Sequence, residues 1–259
     1  RGVVQPRGLM NPHSTAEPHV FSDSGMWWRP LTGWRPRRWL NWGSTTNCTS
    51  RSKIEAIDPH APDRDHRGRR PLPQLNSDRL FIADGGIETD LIFHHGIELP
   101  FFAAFPLLED AGHRITLRRY YDDYVGIARE HGTGLVIETP TWRANPDWAS
   151  RLGYSPQRLD AANRAAVEFA EEVRAAAAAD GVTAVISGCI GPRGDGYDPG
   201  EVMTAAEAQS YHATQIQSFS ETTADQVTAM MITNADEAVG IVRAAVAVGI
   251  PAAISFTVE

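Results

Sequence analysis

From residue 80 onward, short apolar runs alternate with longer stretches in which apolar residues recur at helical spacing. Residues 80–83 form a short apolar run that ends in Asp84-Gly85-Gly86. Residues 134–138 read GLVIE, and residues 184–187 read AVIS and lead into Gly188-Cys189-Ile190-Gly191-Pro192. Residues 227–232 read VTAMMI, and residues 252–258 read AAISFTV. Each run has strand length, reads as apolar on both faces, and stops at polar or glycine-rich residues. Strands buried on both faces predict a parallel sheet covered by helices.

Helical patterns fill the gaps. One covers about residues 115–131, where Leu117, Tyr121, Tyr124, Val125 and Ala128 fall near one face. A second opens with Ser155 as N-cap and Pro156 at the first helical position. It runs through an alanine-rich stretch to Asp180, with Gly181 past its end. Thr204-x-x-Glu207 and Asn234-x-x-Glu237 each predict a capping box at the start of a further helix, the last one stopping at Gly249. The order is strand then helix, repeated.

Five strands fit two architectures. A doubly wound open sheet can be complete with five or six strands. A (β/α)8 barrel needs about three more units. The sequence stops directly after a strand, with no helix to cover it, which favours the first part of a barrel. The expected fold class is therefore α/β, with about the first five units of a (β/α)8 TIM barrel at residues 76–259. Residues 1–75 are expected to be an irregular extension.

Composition separates the same two parts. Residues 1–78 carry 12 Lys+Arg against 7 Asp+Glu, five of the seven Trp and nine of the seventeen Pro. Trp27, Trp28, Trp34, Trp39 and Trp42 sit among Arg29, Arg35, Arg37 and Arg38 with neither a strand nor a helix period. Such a segment buries too little apolar area to offset its ordering entropy. Residues 79–259 carry 12 basic against 25 acidic residues. The overall charge of -8 argues against a nucleic-acid partner held by phosphate contacts. No apolar run approaches the roughly 18 residues that span a bilayer, so no membrane partner is expected. Cys48 and Cys189, the two cysteines, cannot build a disulfide framework or a four-cysteine zinc site. A reducing, cytoplasmic setting is expected.

Polar residues gather just past the C-terminal ends of the strands, where both architectures place their sites. They are Asp84, Gly85, Gly86, Glu88 and Thr89 after the first strand. Glu138, Thr139, Thr141, Arg143 and Asn145 follow the second. Gly188, Cys189, Gly191, Arg193, Asp195 and Tyr197 follow the third. Glycines there let main-chain N–H groups approach a small ligand. Asp84 suits a ligand ammonium group, and equally a turn in which it caps its own backbone. The chain contains neither a G-x-G-x-x-G fingerprint nor a P-loop at these positions, and no G-x-S-x-G elbow. His94, His95 and His131 lack a paired metal spacing and read as surface or helix-end residues.

Three of these segments resemble the homocysteine S-methyltransferase family: Asp84 to Thr89 (DGGIET), Ile137 to Asn145 (IETPTWRAN) and Gly188 to Gly194 (GCIGPRG). Pro251 to Val258 (PAAISFTV) resembles that family's fifth strand. The resemblance implies a (β/α)8 barrel that transfers a methyl group from a sulfonium or ammonium donor to the thiol of homocysteine, forming methionine. It implies one zinc ion held by cysteine thiolates at the ends of strands six and eight. Those ligands would lie beyond Glu259, so no metal ligand is expected in this chain, and the chain alone is expected to be inactive. It further implies that Asp84, Gly85, Gly86 and Thr89 contact the amino-acid end of the substrate, with Glu138, Thr139 and Asn145 lining the pocket. No catalytic residue is assigned. Where many family members carry a glutamate at the end of the fourth strand, this chain has Met230, followed by Met231. Cys189 reads as a small core residue.

Two other readings fit the residues. One is a barrel relative with another methyl acceptor and no zinc. The other is a noncatalytic binding protein that uses the Trp/Arg extension as its contact surface.

Overall fold

The computed structural model describes residues 71–198 and 200–258. The Trp/Arg cluster and Cys48 lie outside the described residues. A one-turn helix, α1 (Pro73–Asn76), straddles the expected boundary at residue 75. It is followed by β1 (Phe81–Ala83), α2 (Ile87–Phe93), α3 (Ala111–His131) and β2 (Gly134–Glu138). Next come α4 (Pro146–Arg151), α5 (Pro156–Ala179), β3 (Ala184–Ile190) and α6 (Ala205–Ser220). The last three elements are β4 (Gln226–Ile232), α7 (Ala235–Val248) and β5 (Ala252–Phe256).

All four strand pairings are parallel, and the strands lie side by side in chain order from β1 to β5. That order decides between the two architectures. A doubly wound sheet reverses direction at a switch point and puts helices on both faces. Here the order never reverses, and α3, α5, α6 and α7 pack against successive strands and against one another. The sheet is an arc of a barrel wall.

The helix-facing side of the arc is apolar. Leu135 and Ile137 of β2, Ile186 and Ile190 of β3, and Val227 and Ala229 of β4 join Leu117, Val125, Phe169, Val173, Ile216 and Ile241 in one buried cluster. Gly188 permits a close approach of α6, because a Cβ there would stand 2.6 Å from the Phe219 ring. The concave side differs from the expectation that every strand is apolar on both faces. Ser187 and Thr228 share a hydrogen bond of 2.7 Å, Gln226 donates to both, and Gln74 of α1 donates to Gln226 at 2.8 Å. Glu138 lies opposite Ser187 in the register and so shares this face. Ser187, Thr228 and Gln226 survive burial there because they satisfy one another.

The helix signals hold with two differences. Ser155 and Thr204 cap α5 and α6 as expected, and Thr204 and Glu207 complete a capping box. The third helix starts earlier than residue 115, because the Asp110 side chain accepts from the His113 N–H and caps it there. At α7, Asn234 accepts from the Glu237 N–H, but the box does not close. The Glu237 carboxylate turns inward and accepts from His212 Nε2 at 2.9 Å and from the Arg193 N–H at 2.8 Å.

Candidate active site at the strand ends

The C-terminal ends of β1 and β2 and the first turn of α2 bring three carboxyl groups together. Asp84 follows β1 directly and is half-buried. The hydroxyl of Tyr120, on α3, donates to its Oδ2 at 3.0 Å, while Oδ1 has no hydrogen-bond partner. Glu138 is the last residue of β2 and is 6% exposed, and its Oε2 also lacks a partner. Glu88 stands in the first turn of α2. All three bind their protons more tightly than ordinary carboxyl groups. Burial raises Asp84 to about 6 against the Tyr120 hydrogen bond. Burial and the Asp84 charge raise Glu88 to about 7, with Arg143 opposing. Burial and Asp84 raise Glu138 to about 8. Withdrawal from water disfavours each charge, and each carboxylate disfavours the next.

The glycines after Asp84 are spent on shape. The Gly85 N–H donates to the Tyr124 hydroxyl at 2.9 Å, and a Cβ on Gly85 would stand 3.0 Å from that oxygen. Gly86 has φ 102, a conformation open to glycine at little cost, and turns the chain into α2. Thr89, one turn into α2, is exposed. Thus Asp84, Glu138 and the side chain of Thr89 retain groups for a ligand.

Thr139 and Asn145 instead hold the wall. Thr139 Oγ1 accepts from the Cys189 N–H at 2.9 Å and pairs with Thr141 Oγ1 at 2.7 Å. Thr141 in turn donates to the Cys189 carbonyl at 2.7 Å. The Asn145 side chain caps α4 through the Trp148 N–H and donates to the Pro192 carbonyl at 3.3 Å. Trp148 Nε1 donates to the next carbonyl, Arg193, at 3.1 Å, and Arg143 donates to the one after, Gly194, at 2.7 Å. Three side chains from the loop after β2 and the α4 that follows it therefore grip three consecutive carbonyls after β3. Arg143 is 4% exposed and lies between the rings of Trp142 and Trp148, 4.1 and 4.3 Å from their centroids. The grip reaches β4 as well, since Trp142 Nε1 donates to the Met230 carbonyl at 3.2 Å. Met231 has φ 61, beside a register shift between β4 and β5. Met230 and Met231 bring no charge to this end of the sheet.

The sequence pattern pointed to Asp84 and Glu138 but left Glu88 out of the binding set, and it used Tyr121 and Tyr124 only as marks of one helical face. One signal was present. A tyrosine on the buried face of a helix needs a partner for its hydroxyl, where phenylalanine would not. Tyr120, Tyr121 and Tyr124 deliver theirs to Asp84, to the Glu138 carbonyl and to Gly85. His94 and His95 pair with Asp90 at the surface, as their spacing suggested.

The zinc ion implied by the resemblance does not fit the described residues. Cys189 is buried, and burial together with Glu138, Glu88 and Asp84 pushes its thiol well above the usual range, so it stays a neutral thiol. Among the described residues no group of three or more His, Cys, Asp or Glu could hold a metal ion. Nor is any described helix long and apolar enough to cross a membrane.

The sequence profile of the homocysteine S-methyltransferase family matches residues 81–259. No curated protein sequence matches the chain significantly. Among solved structures, the oxidised form of the homocysteine methyltransferase MmuM from Escherichia coli is similar at 22% identity with a TM-score of 0.61. The similarity covers 73% of this chain and 67% of that one. The metallated form of the same enzyme gives 20% identity, a TM-score of 0.59 and the same coverage. At these identities the likeness concerns the fold, an arc of the same barrel.

Proposed function

This chain belongs to the homocysteine S-methyltransferase family, and from that premise we propose that its strand-end site binds the acceptor for methyl transfer to the thiol of homocysteine. The observation that carries the reading is the pair of unpartnered carboxyl oxygens, Asp84 Oδ1 and Glu138 Oε2, at the C-terminal ends of adjacent barrel strands. An α-amino acid offers the cation those oxygens lack. The residues of this chain orient the acceptor and exclude water. Asp84 is fixed by Tyr120, Glu138 by its place in β2, and the far wall by the three-carbonyl grip. Positioning of this kind supplies much of the advantage of an enzymatic displacement.

The displacement itself is balanced by its two reactants. The thiolate sulfur forms a bond to the methyl carbon of a sulfonium or quaternary ammonium donor, whose leaving group departs neutral, and the product is methionine. A thiol of pKa about 8.5 is mostly protonated at neutral pH and must first lose its proton. In the family reading a zinc ion supplies that activation. The described residues give no ligand set for it. A thiol acceptor also requires a reducing compartment, which places the reading in the cytoplasm.

Isothermal titration calorimetry under reducing conditions tests the reading. L-homocysteine binds saturably, L-methionine competes for the same site, and L-cysteine, one methylene shorter, binds more weakly. A flat response to both homocysteine and methionine contradicts it. When a deuteromethyl-labelled S-methylmethionine is added, labelled methionine is not expected from this chain alone.

A further inference from the structure

We propose that Ser187 and Thr228, oriented by Gln226, are positioning residues that present a hydroxyl donor to the Glu138 carboxyl from inside the barrel and so set the form in which Glu138 meets the acceptor. The inference rests on the function proposed above and deepens it.

The concave side of the sheet carries a file of polar side chains behind Glu138. Glu138 lies opposite Ser187 in the register, and Ser187 lies opposite Gln226. Thr228, two residues beyond Gln226 on β4, shares that face. All four are buried, Ser187 fully. Buried hydroxyls and amides must find their partners within such a file.

The protons give the file a direction. Gln74, on α1, donates to the carbonyl oxygen of Gln226 at 2.8 Å. The amide nitrogen of Gln226 is therefore the end turned toward the hydroxyls, and it donates to Ser187 Oγ at 3.4 Å and to Thr228 Oγ1 at 3.3 Å. Each hydroxyl accepts from Gln226 through a lone pair and keeps its own proton. The 2.7 Å bond between Ser187 and Thr228 uses one of these two protons. The other is left for the Glu138 carboxyl, which has both side chains as hydrogen-bond partners. Glu138 Oε2 has no partner, so the file holds the carboxyl by Oε1.

A donor aimed at a carboxyl favours its charged form. The other groups that face Glu138 do not. Burial and Asp84, which follows β1, raise its carboxyl to about 8, and the hydroxyl pair opposes them. Tyr121, from α3, and Cys189, from β3, stay neutral because burial pushes both well above their usual ranges. Gln74, Gln226 and Thr228, from α1 and β4, carry no charge. Without the hydroxyl pair Glu138 would reach the acceptor more fully as a neutral acid. The pair acts through Glu138 and not on the acceptor. Either hydroxyl alone can supply the one proton that Glu138 receives, so the loss of both is what counts.

The test follows the Glu138 carboxyl by NMR through a pH titration of the full chain, isotopically labelled at its glutamate side-chain carboxyls, with Glu138→Gln assigning the signal. The double variant Ser187→Ala/Thr228→Val removes both hydroxyls. Its Glu138 signal is expected to titrate at a pH higher by about 1 or more than in the wild type, and its affinity for L-homocysteine at pH 7 to fall by about tenfold. Each single variant restores one hydroxyl and is expected to return both readings close to the wild type. A Glu138 titration unmoved in the double variant, even with a lowered unfolding midpoint, shows that the hydroxyls only fill space. That result overturns the inference and leaves the proposed function standing. Should the double variant not fold, the infrared band of the Glu138 acid in the wild type decides. A band at the position of a hydrogen-bonded acid supports the inference, and one at the position of a free acid overturns it. A wild-type chain that binds no L-homocysteine overturns the proposed function and, with it, the role of the pair toward the acceptor.

Discussion

The hydroxyl of Tyr121 donates to the main-chain oxygen of Glu138 at 2.7 Å, joining the buried face of α3 to the last residue of β2. That bond fixes the strand end at the point where the Glu138 side chain turns toward the concave side of the sheet. Tyr121→Phe keeps the ring against Phe169 and removes only the donor. The Glu138 carbonyl is then buried without a partner, at a cost of about 1–3 kcal/mol. Thermal unfolding followed by circular dichroism is expected to show a midpoint lower by roughly 2–4 °C per kcal/mol. An unchanged midpoint would mean that the bond contributes nothing.

Stability is expected to fall as pH rises through neutrality. Asp84, Glu88 and Glu138 hold their protons to about 6, 7 and 8 in the folded chain, whereas unfolded carboxyl groups titrate near 4. A raised folded-state value contributes stability that is complete below the unfolded value and is lost as pH rises through the folded one. The urea midpoint at about pH 8.5 should therefore lie below that at about pH 5.5. Glu138→Gln, which cannot ionise, should narrow the difference. A midpoint that climbs across the same window would contradict the burial of these groups.

Glu237 anchors the loop after β3 to α7. Burial alone would raise its carboxyl, but the hydrogen bonds from His212 and the Arg193 N–H outweigh burial and hold it below the ordinary range. Glu237→Ala leaves the buried His212 ring and the part-buried Arg193 N–H without this acceptor, and a buried polar group left unsatisfied costs about 1–3 kcal/mol. Urea unfolding checks this, since a loss below about 1 kcal/mol would show that the pair is dispensable.

Arg143→Ala is expected to loosen the segment after β3 more than the barrel wall. It deletes a cation stacked on two indole rings and the donor to the Gly194 carbonyl. Desolvated cation–π contacts are worth about 2 kcal/mol. Hydrogen exchange of residues 192–197 should speed up by about tenfold or more, with the amides of β2 and β3 little changed. Uniform acceleration would instead report global destabilisation.

Gly191→Ala tests how tightly the two loops meet. An added Cβ would lie 2.3 Å from the Trp142 carbonyl oxygen, so the backbone must move. Strain of this kind costs about 1–3 kcal/mol, and the cooperative unfolding midpoint should drop accordingly. A midpoint equal to that of the wild type would place Trp142 further away.

The strands were legible in the sequence because each apolar run ends at a residue that cannot continue it, as Ala83 does before Asp84-Gly85-Gly86. Helix starts were legible where a capping side chain precedes the first turn, as at Ser155 and Thr204. At Asn234 the same pattern misled, because Glu237 is drawn inward by His212, a tertiary partner that local spacing cannot reveal. The polar concave side was hidden for a related reason. Ser187, Gln226 and Thr228 look like lapses in apolar strands until the parallel register sets them side by side. Strand-end motifs pointed to Asp84 and Glu138, but the hydroxyls that hold the Asp84 carboxyl and the Glu138 carbonyl come from tyrosines of α3, 36 and 17 residues away in sequence.

The most direct measurement of the central claim is a crystal structure of the chain with L-homocysteine. The amino-acid end is expected at the C-terminal ends of β1 and β2, its nitrogen within about 2.7–3.2 Å of Glu138 Oε2 and Asp84 Oδ1. Density for the ligand away from these strand ends, or with its nitrogen turned from both carboxyl groups, would contradict it.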